Sequence, residues 1–396
     1  MASAQAGTIL TTEERLARRN LMLRDAASLL TLFLITSVIF VLTLLLFRSF
    51  TNHQRELGAR WKTRGETALR DGRPGAAIDA LRSALAYVPN RDTEIELATA
   101  LADAGKLQEA SVYFTTLWES APGDGTINLQ LARLAVKEGN EDQAILHYQS
   151  ALDGTWQGNG YDRRREVRLE MTRYLISRGE HNRARSQLLI AAGNAPDDPA
   201  IKLDIAGLLE QADASGDALN IYRSLITRRD PPMAAFEGAG RTAFALGMYR
   251  LSADSLNRVM ASPVAAHFSD EEKTADRNML DISLHVLDLD PAFDLAPRIR
   301  AQRVLSIRRI ARQRLSTCAA SASSVPAALT SLAAQWGQLP SSLTVSQLEQ
   351  QPDLEQTILQ LAYQTETTAT VTCSEPTGDD ALLLRIAHNP QAVEQQ

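Results

Sequence analysis

Six histidines, two cysteines and 47 acidic residues are the groups of this 396-residue chain with the chemistry for nucleophilic, acid–base or metal work. The histidines stand at positions 53, 147, 181, 267, 285 and 388, scattered and never at metal-ligand spacing with one another or with a cysteine. A zinc site needs three or four such ligands converging. Cys318 and Cys373 form no C-x-x-C pair, which excludes a zinc ribbon or a thioredoxin-like motif. Adjacent carboxylates such as Glu271 and Glu272 fall on a polar helix face, where solvation explains them. Gly238-Ala-Gly240-Arg-Thr-Ala243 has the G-x-G-x-x-A pattern of a dinucleotide loop. That chemistry needs a strand before it and a helix N-terminus at the phosphate. Here the pattern lies inside a helical stretch. No Walker A, H-E-x-x-H or G-x-S-x-G sequence occurs. No catalytic residue, cofactor or metal is expected.

The elements that hold these residues are helical. Alanine and leucine dominate, and aromatics make up 5% of the chain. The net charge of −6 argues against binding nucleic acid through bulk charge, and no nucleic-acid partner is expected.

Residues 26–47 read AASLLTLFLITSVIFVLTLLLF, 22 residues without a charge. As a helix rising about 1.5 Å per residue the stretch reaches roughly 33 Å, enough for a bilayer core of about 30 Å. Arg48, Ser49 and Phe50 follow it, with no small-x-small cleavage site, so it reads as an uncleaved anchor. Positive residues flank it equally: Arg15, Arg18, Arg19 and Arg24 before, Arg48, Arg55, Arg60 and Lys62 after. The positive-inside rule therefore gives a tie. The short N-terminal tail favours an inner-membrane, single-pass protein with its C-terminal part periplasmic.

From Trp61 to Pro89 the chain reads as helix, glycine turn and helix, and the spacing recurs. A small residue opens the second half of each unit at Ala77, Ala110, Ala144, Ala184, Ala218 and Ser252, at intervals of 33, 34, 40, 34 and 34. Five residues earlier stand Gly72, Gly105, Gly139, Gly179, Asp213 and Gly247. Glycine there supplies the left-handed conformation that ends a helix, and aspartate visits it occasionally. Four residues after the small one stand Leu81, Phe114, Tyr148, Leu188, Tyr222 and Leu256, on the same face. Pro89, Pro122 and Pro196 stop second helices.

A period of 34 with these slots resembles the tetratricopeptide repeat (TPR). The first unit carries the resemblance best, through Trp61, Gly65, Ala77, Leu81, Ala84 and Pro89, departing at Ala68, where that family often has tyrosine. The resemblance implies an all-α, right-handed α-solenoid with a groove that binds a protein or peptide partner, and no catalysis. With the anchor included, the chain resembles membrane-anchored bacterial TPR proteins. The expected organisation is an N-terminal tail (1–25), an anchor (26–47) that meets the lipid bilayer, six helix pairs (48–263), acidic and basic capping helices (264–316) and a C-terminal domain (317–396).

The 40-residue interval holds a six-residue insertion within DGTWQGNGYDRRREVRLE, from Asp153 to Glu170. Trp156, Tyr161, Arg163, Arg164 and Arg165 cluster there. Such types are enriched at binding hot spots, so this loop is a candidate partner contact. The competing reading is that Trp156 packs on its own helix pair and the arginines open the next helix.

From Ser269 to Asp294 there are eight acids, and from Arg298 to Arg314 seven arginines and no acid. The first reading is a hairpin in which an acidic helix faces a basic one. The alternative is a basic helix for anionic lipid. An Ala/Ser-rich linker (316–324), helices near 325–335 and 353–363, a β-like run (369–373) and a helical 381–387 complete the chain. Cys318 and Cys373 are either one disulfide or two unrelated buried thiols. As a bond they close a 55-residue loop. Two further functional readings stay open: a self-associating structural subunit, and an enzyme whose site lies in the C-terminal domain.

Overall fold

The structure is a computed structural model that describes residues 12–263, 269–321 and 326–388. His267, residues 1–11 of the N-terminal tail and the end of the Ala/Ser linker lie outside the described residues. Those described form eighteen helices and no strand, and they divide into two units at Val167 and Arg168.

The first unit begins with α1, one helix of 59 residues from Thr12 to Arg70. It contains the whole apolar stretch and continues without a break into the first half of the first repeat. Its apolar window has a mean hydropathy of 2.8, and none of it is buried against the rest of the protein. A core helix of that composition would hide its leucines. These are exposed, from Leu29 to Phe47.

Then come α2 (Pro74–Tyr87), α3 (Arg91–Asp103), α4 (Leu107–Ser120), α5 (Gly125–Glu138), α6 (Glu141–Asp153) and the start of α7 (Gly160–Ser177). From α1 to α6 each helix packs against the next. Of the first helices, α1 touches α3 and α3 touches α5, forming one layer with α2, α4 and α6 behind them. The second unit continues with α8 (His181–Gly193), α9 (Pro199–Gln211), α10 (Ser215–Ile226), α11 (Met233–Ala245) and α12 (Tyr249–Met260). There α9 and α11 touch in the same manner, and α11 touches α13 (Asp270–Leu289).

Six turns join the helices of a pair, and all six close alike. The φ angles at Gly72, Gly105, Gly139, Gly179 and Gly247 lie between 66° and 77°, and Asp213 has φ 57°. The following amide reaches back five residues to the carbonyl of the first helix. Examples are Arg73 to Ala68 at 2.8 Å, Glu180 to Leu175 at 2.9 Å and Ala214 to Leu209 at 2.9 Å. This Schellman closure satisfies carbonyls that the helix end would leave orphaned. It also feeds the chain directly into the next helix. Five of the second helices, α2, α4, α8, α10 and α12, start without a side-chain cap, while Asn140 caps α6 and Asn90, Asp124 and Asp198 cap α3, α5 and α9.

Small residues let the two helices of a pair touch. A Cβ at Gly65 would stand 2.6 Å from Leu81 Cγ, and one at Gly240 2.7 Å from Leu256 Cγ, so neither site has room for a side chain. Ala77, Ala110, Ala144, Ala184 and Ala218 are completely buried, and Trp61 is half-buried beneath the guanidinium of Arg64. Ion pairs about one repeat apart run along the units. They include Lys62–Glu96 at 3.4 Å, Lys137–Asp103 at 2.5 Å, Arg173–Asp204 at 2.7 Å and Arg185–Asp217 at 2.6 Å. Exposed pairs of this kind contribute little each and mainly fix register.

The C-terminal part differs from expectation. Helix α14 (Pro297–Ser321) touches acidic α13 only slightly and packs chiefly against α17, so α13 and α14 do not form a charge-matched hairpin. It is the spine of a separate core with α15 (Ala327–Gln338), α16 (Val345–Glu349), α17 (Pro352–Thr372) and α18 (Asp379–His388). Ala301, Val304, Ile307, Ile310 and Leu315 of α14 are buried there with Trp336, Leu348, Ile358 and Leu383. The β-like run 369–373 is the end of α17. Thr368, Thr370 and Val371 carry β propensity, but Ala362 and Ala369 at helical spacing are buried in the same core, and tertiary packing overrides propensity.

Asp213 is the one non-glycine residue with positive φ among the described residues. Its side chain pairs with His181 but is mostly exposed. Asp213→Gly is expected to raise unfolding stability by about 0.5–1 kcal/mol, since relief of the left-handed backbone outweighs an exposed pair. Chemical denaturation of the full chain in detergent reads the shift.

Candidate interaction surface

The loop 154–159 is built into its own helix pair. Thr155 donates to the Gly123 carbonyl at 2.8 Å and accepts from the Gly125 amide at 2.9 Å, a short parallel bridge. That bridge places Trp156 over the start of α5. A Cβ at Gly125 would fall 2.3 Å from Trp156 Cε2, so the indole rests on bare backbone. Its Nε1 donates to the Ala151 carbonyl at 2.9 Å. Arg164 then donates from Nε to the Leu152 carbonyl at 2.9 Å and from Nη2 to the Gly154 carbonyl at 2.8 Å. Trp156 and Arg164 together satisfy the carbonyl end of α6. Arg163 pairs with Glu166 at 3.0 Å and Arg165 with Asp162 at 2.6 Å, both on α7 itself.

Of the five residues singled out from sequence, Tyr161 stands clear, 86% exposed, and Arg163 is exposed beside its partner Glu166. The insertion thus has an internal job, in which the half-buried Trp156 and Arg164 cap the carbonyl end of α6. The signal that distinguishes the readings is Gly125, which leaves room for the indole one helix earlier.

The glycines of the dinucleotide-like pattern are likewise occupied. Gly238 lies under the ring of Tyr222 and Gly240 under Leu256, within α11. No group of three or more His, Cys, Asp or Glu among the described residues is placed to hold a metal ion.

Four arginines of the basic run on α14 are also spent internally. Arg303 donates from Nη1 to the Leu287 and Asp290 carbonyls at 2.7 and 2.6 Å, closing the end of α13. Arg308 holds the Pro340 carbonyl and Arg314 the Ser374 carbonyl. Arg300 pairs with buried Glu355 at 2.9 Å and stacks on Phe293. These four arginines anchor helix ends and loops, while Arg298, Arg309 and Arg312 of the same run are exposed. Cys318 at the end of α14 and Cys373 after α17 are joined by a disulfide, with Cα atoms 5.7 Å apart.

The layer of first helices carries a run of half-buried polar residues at one slot of successive repeats. In the first unit it presents the half-buried chain Lys62, Glu66 and Glu96, with Thr99 and Gln130 alongside. Gln130 follows Glu96 by 34 residues, as Glu96 follows Lys62, so the three occupy the same slot of successive repeats. Burial raises the Glu96 carboxyl above its usual range, against the pull of Lys62. In the second unit Arg241 joins Glu237 at 2.8 Å to fully buried Asp276 at 2.9 Å, and Glu210 accepts from Thr242 and Tyr222. Burial again raises the Glu237 carboxyl; Arg241 opposes this, while Asp276, Glu272 and Glu210 add to it.

The tetratricopeptide repeat profile matches residues 101–153, which span α4, α5 and α6. Three solved structures illustrate the structural neighbours. Pseudomonas aeruginosa pilF is 15% identical, with 57% of this chain and 99% of that one covered and a TM-score of 0.39. PilW, described as a widely conserved type IV pilus biogenesis factor, is 16% identical over 55% of this chain and 97% of its own, with a TM-score of 0.39. YrrB, a TPR protein with an unusual peptide-binding site, is 18% identical over 46% and 92%, with a TM-score of 0.33. No curated protein matches the chain. At such scores the fold rests on the helix pairs themselves.

Trp156→Ala removes a packed indole and a carbonyl cap, and is expected to cost about 2–4 kcal/mol of stability. Tyr161→Ala is expected to stay within about 0.5 kcal/mol. Thermal unfolding of the two variants side by side checks the contrast.

Proposed function

We propose that this protein is a membrane-tethered scaffold that holds a partner protein or peptide against the layer of first helices. The observation that carries the reading is α1, in which an exposed 22-residue apolar stretch and the first repeat helix are one continuous helix. An apolar surface of that length needs a bilayer to cover it. Because no loop intervenes, the repeats inherit the direction of the span. From Phe47 to Trp61 is 14 residues of helix, about 21 Å at about 1.5 Å per residue, so the first pair stands off the bilayer.

The repeat type supports the binding half of the reading, since tetratricopeptide repeats mediate protein–protein contacts and the profile matches within the first unit. Within the first unit, the first helices α1, α3 and α5 line up along one face, on which residues of the same slot recur. The disulfide supports an oxidising location for the C-terminal domain, outside the cytoplasm of an inner membrane.

Photo-crosslinking residues at Thr99 and Gln130, on the first-helix layer, are expected to trap one discrete partner in native membranes. The same probe at Val112 and Leu146, exposed on α4 and α6, is expected to trap none. Adducts confined to the latter pair contradict the reading. An alkaline phosphatase fusion at the C-terminus is expected to be active, and an inactive fusion would reverse the topology.

A further inference from the structure

Glu366 lies on α17 with no exposed surface, and neither of its carboxylate oxygens has a hydrogen-bond partner. Two charged groups face it from neighbouring helices: Asp380 in the first turn of α18 and Arg314 on α14. Arg314 is buried and already committed to the Ser374 carbonyl, and its Nε stands 4.0 Å from Asp380 Oδ2. Two carboxylates thus share one guanidinium in a low-dielectric place.

With Glu366 protonated, Arg314 and Asp380 balance. With Glu366 ionised, the trio carries an uncompensated negative charge that burial makes costly. Burial, then the charge of Asp380, push the Glu366 carboxyl up to about 8, and Arg314 offsets this only in part. Asp380 is the least buried of the three, at 27% side-chain exposure against 8% for Arg314. It is therefore the group that escapes to water most easily, and it sits at the start of α18.

What α18 covers gives the trio its consequence. Ile386 packs with Tyr249 and Val286, and the Arg385 guanidinium lies 5.3 Å from the ring centre of Phe244. Phe244 belongs to α11, in the first-helix layer, and Val286 to α13 beside it. The C-terminal helix therefore sits on the last part of the surface assigned above to a partner.

We propose that Glu366, Arg314 and Asp380 form a proton-controlled latch on α18, shut while Glu366 keeps its proton and released when it ionises, uncovering Phe244, Tyr249 and Val286. That the uncovered surface then serves a partner rests on the scaffold reading; the latch itself does not. The direction follows from linkage. The shut state holds the proton up to about pH 8, whereas a solvated Glu366 ionises near 4.5. Opening therefore becomes easier as pH rises from 4.5 to about 8, by up to about tenfold per unit, and is flat above.

Hydrogen exchange of the full chain in lipid nanodiscs, at about pH 5.5 and about pH 8 and corrected for intrinsic rates, tests this. Amides of α18 are expected to lose about a hundredfold in protection over that interval, while those of α14 and α17 keep theirs. In Glu366→Gln the α18 protection is expected to be the same at both pH values, and Glu366→Leu serves if the amide does not fold. Equal α18 protection at both pH values in the natural protein overturns the latch. So does a joint loss across α14, α17 and α18, which marks melting of the whole domain, or an unchanged slope in the variant. A working latch in a protein that yields no crosslinked partner sinks the access clause alone.

Discussion

The left-handed closure between the two helices of each pair is the constraint on which the rest of the structure depends. Six times the chain turns through a positive φ and returns one amide to the carbonyl five residues back. That single geometry sets the angle at which the second helix leaves. It brings the small residue of one helix beneath the bulky residue of the other, as Gly65 meets Leu81 and Gly240 meets Leu256. A different turn would rotate the second helix, and the slots four and five residues on would miss each other. The cost of the conformation explains why glycine fills five of the six turns.

Continuity of helix does the corresponding work at the two ends of the chain. At the N-terminal end, α1 joins the apolar span to the first repeat without a loop. At the other end α14 supplies one side of a second core, and its buried arginines tie down the ends of α13, α15 and α17 by holding their carbonyls or those just beyond. Arginine suits this role because its planar fork stays charged and reaches two acceptors at once. The disulfide from Cys318 to Cys373 closes the same helix pair.

Much of the repeat architecture was legible because each slot has one dominant physical cause. Gly72 through Gly247 mark the turns, and Ala77 through Ala218 mark the close approaches. Even Asp213, out of pattern by type, takes the expected backbone. The Trp156 loop was ambiguous for a definite reason: the room for the indole comes from Gly125, thirty-one residues earlier, and no local pattern announces that pairing. The roles of Arg300, Arg303, Arg308 and Arg314 were hidden for a related reason. Charge composition shows that guanidiniums are present but not that carbonyls across the core receive them. The end of α17 failed as a strand because its alanines pack at helical spacing. The unpaired burial of Glu366 lies beyond any sequence pattern, since it depends on where α14 and α18 come to rest.

A tether that directs the scaffold requires α1 to be one rod from bilayer to repeats. Spin labels at Phe47 and Thr67, both exposed on that helix, measure it directly by double electron–electron resonance in nanodiscs. Twenty residues of unbroken helix place them about 30 Å apart at about 1.5 Å per residue. A continuous rod predicts a single narrow distribution centred near that distance. A broad distribution, or one centred well short of it, would place a hinge between span and repeats and contradict a tether that fixes the direction of the scaffold.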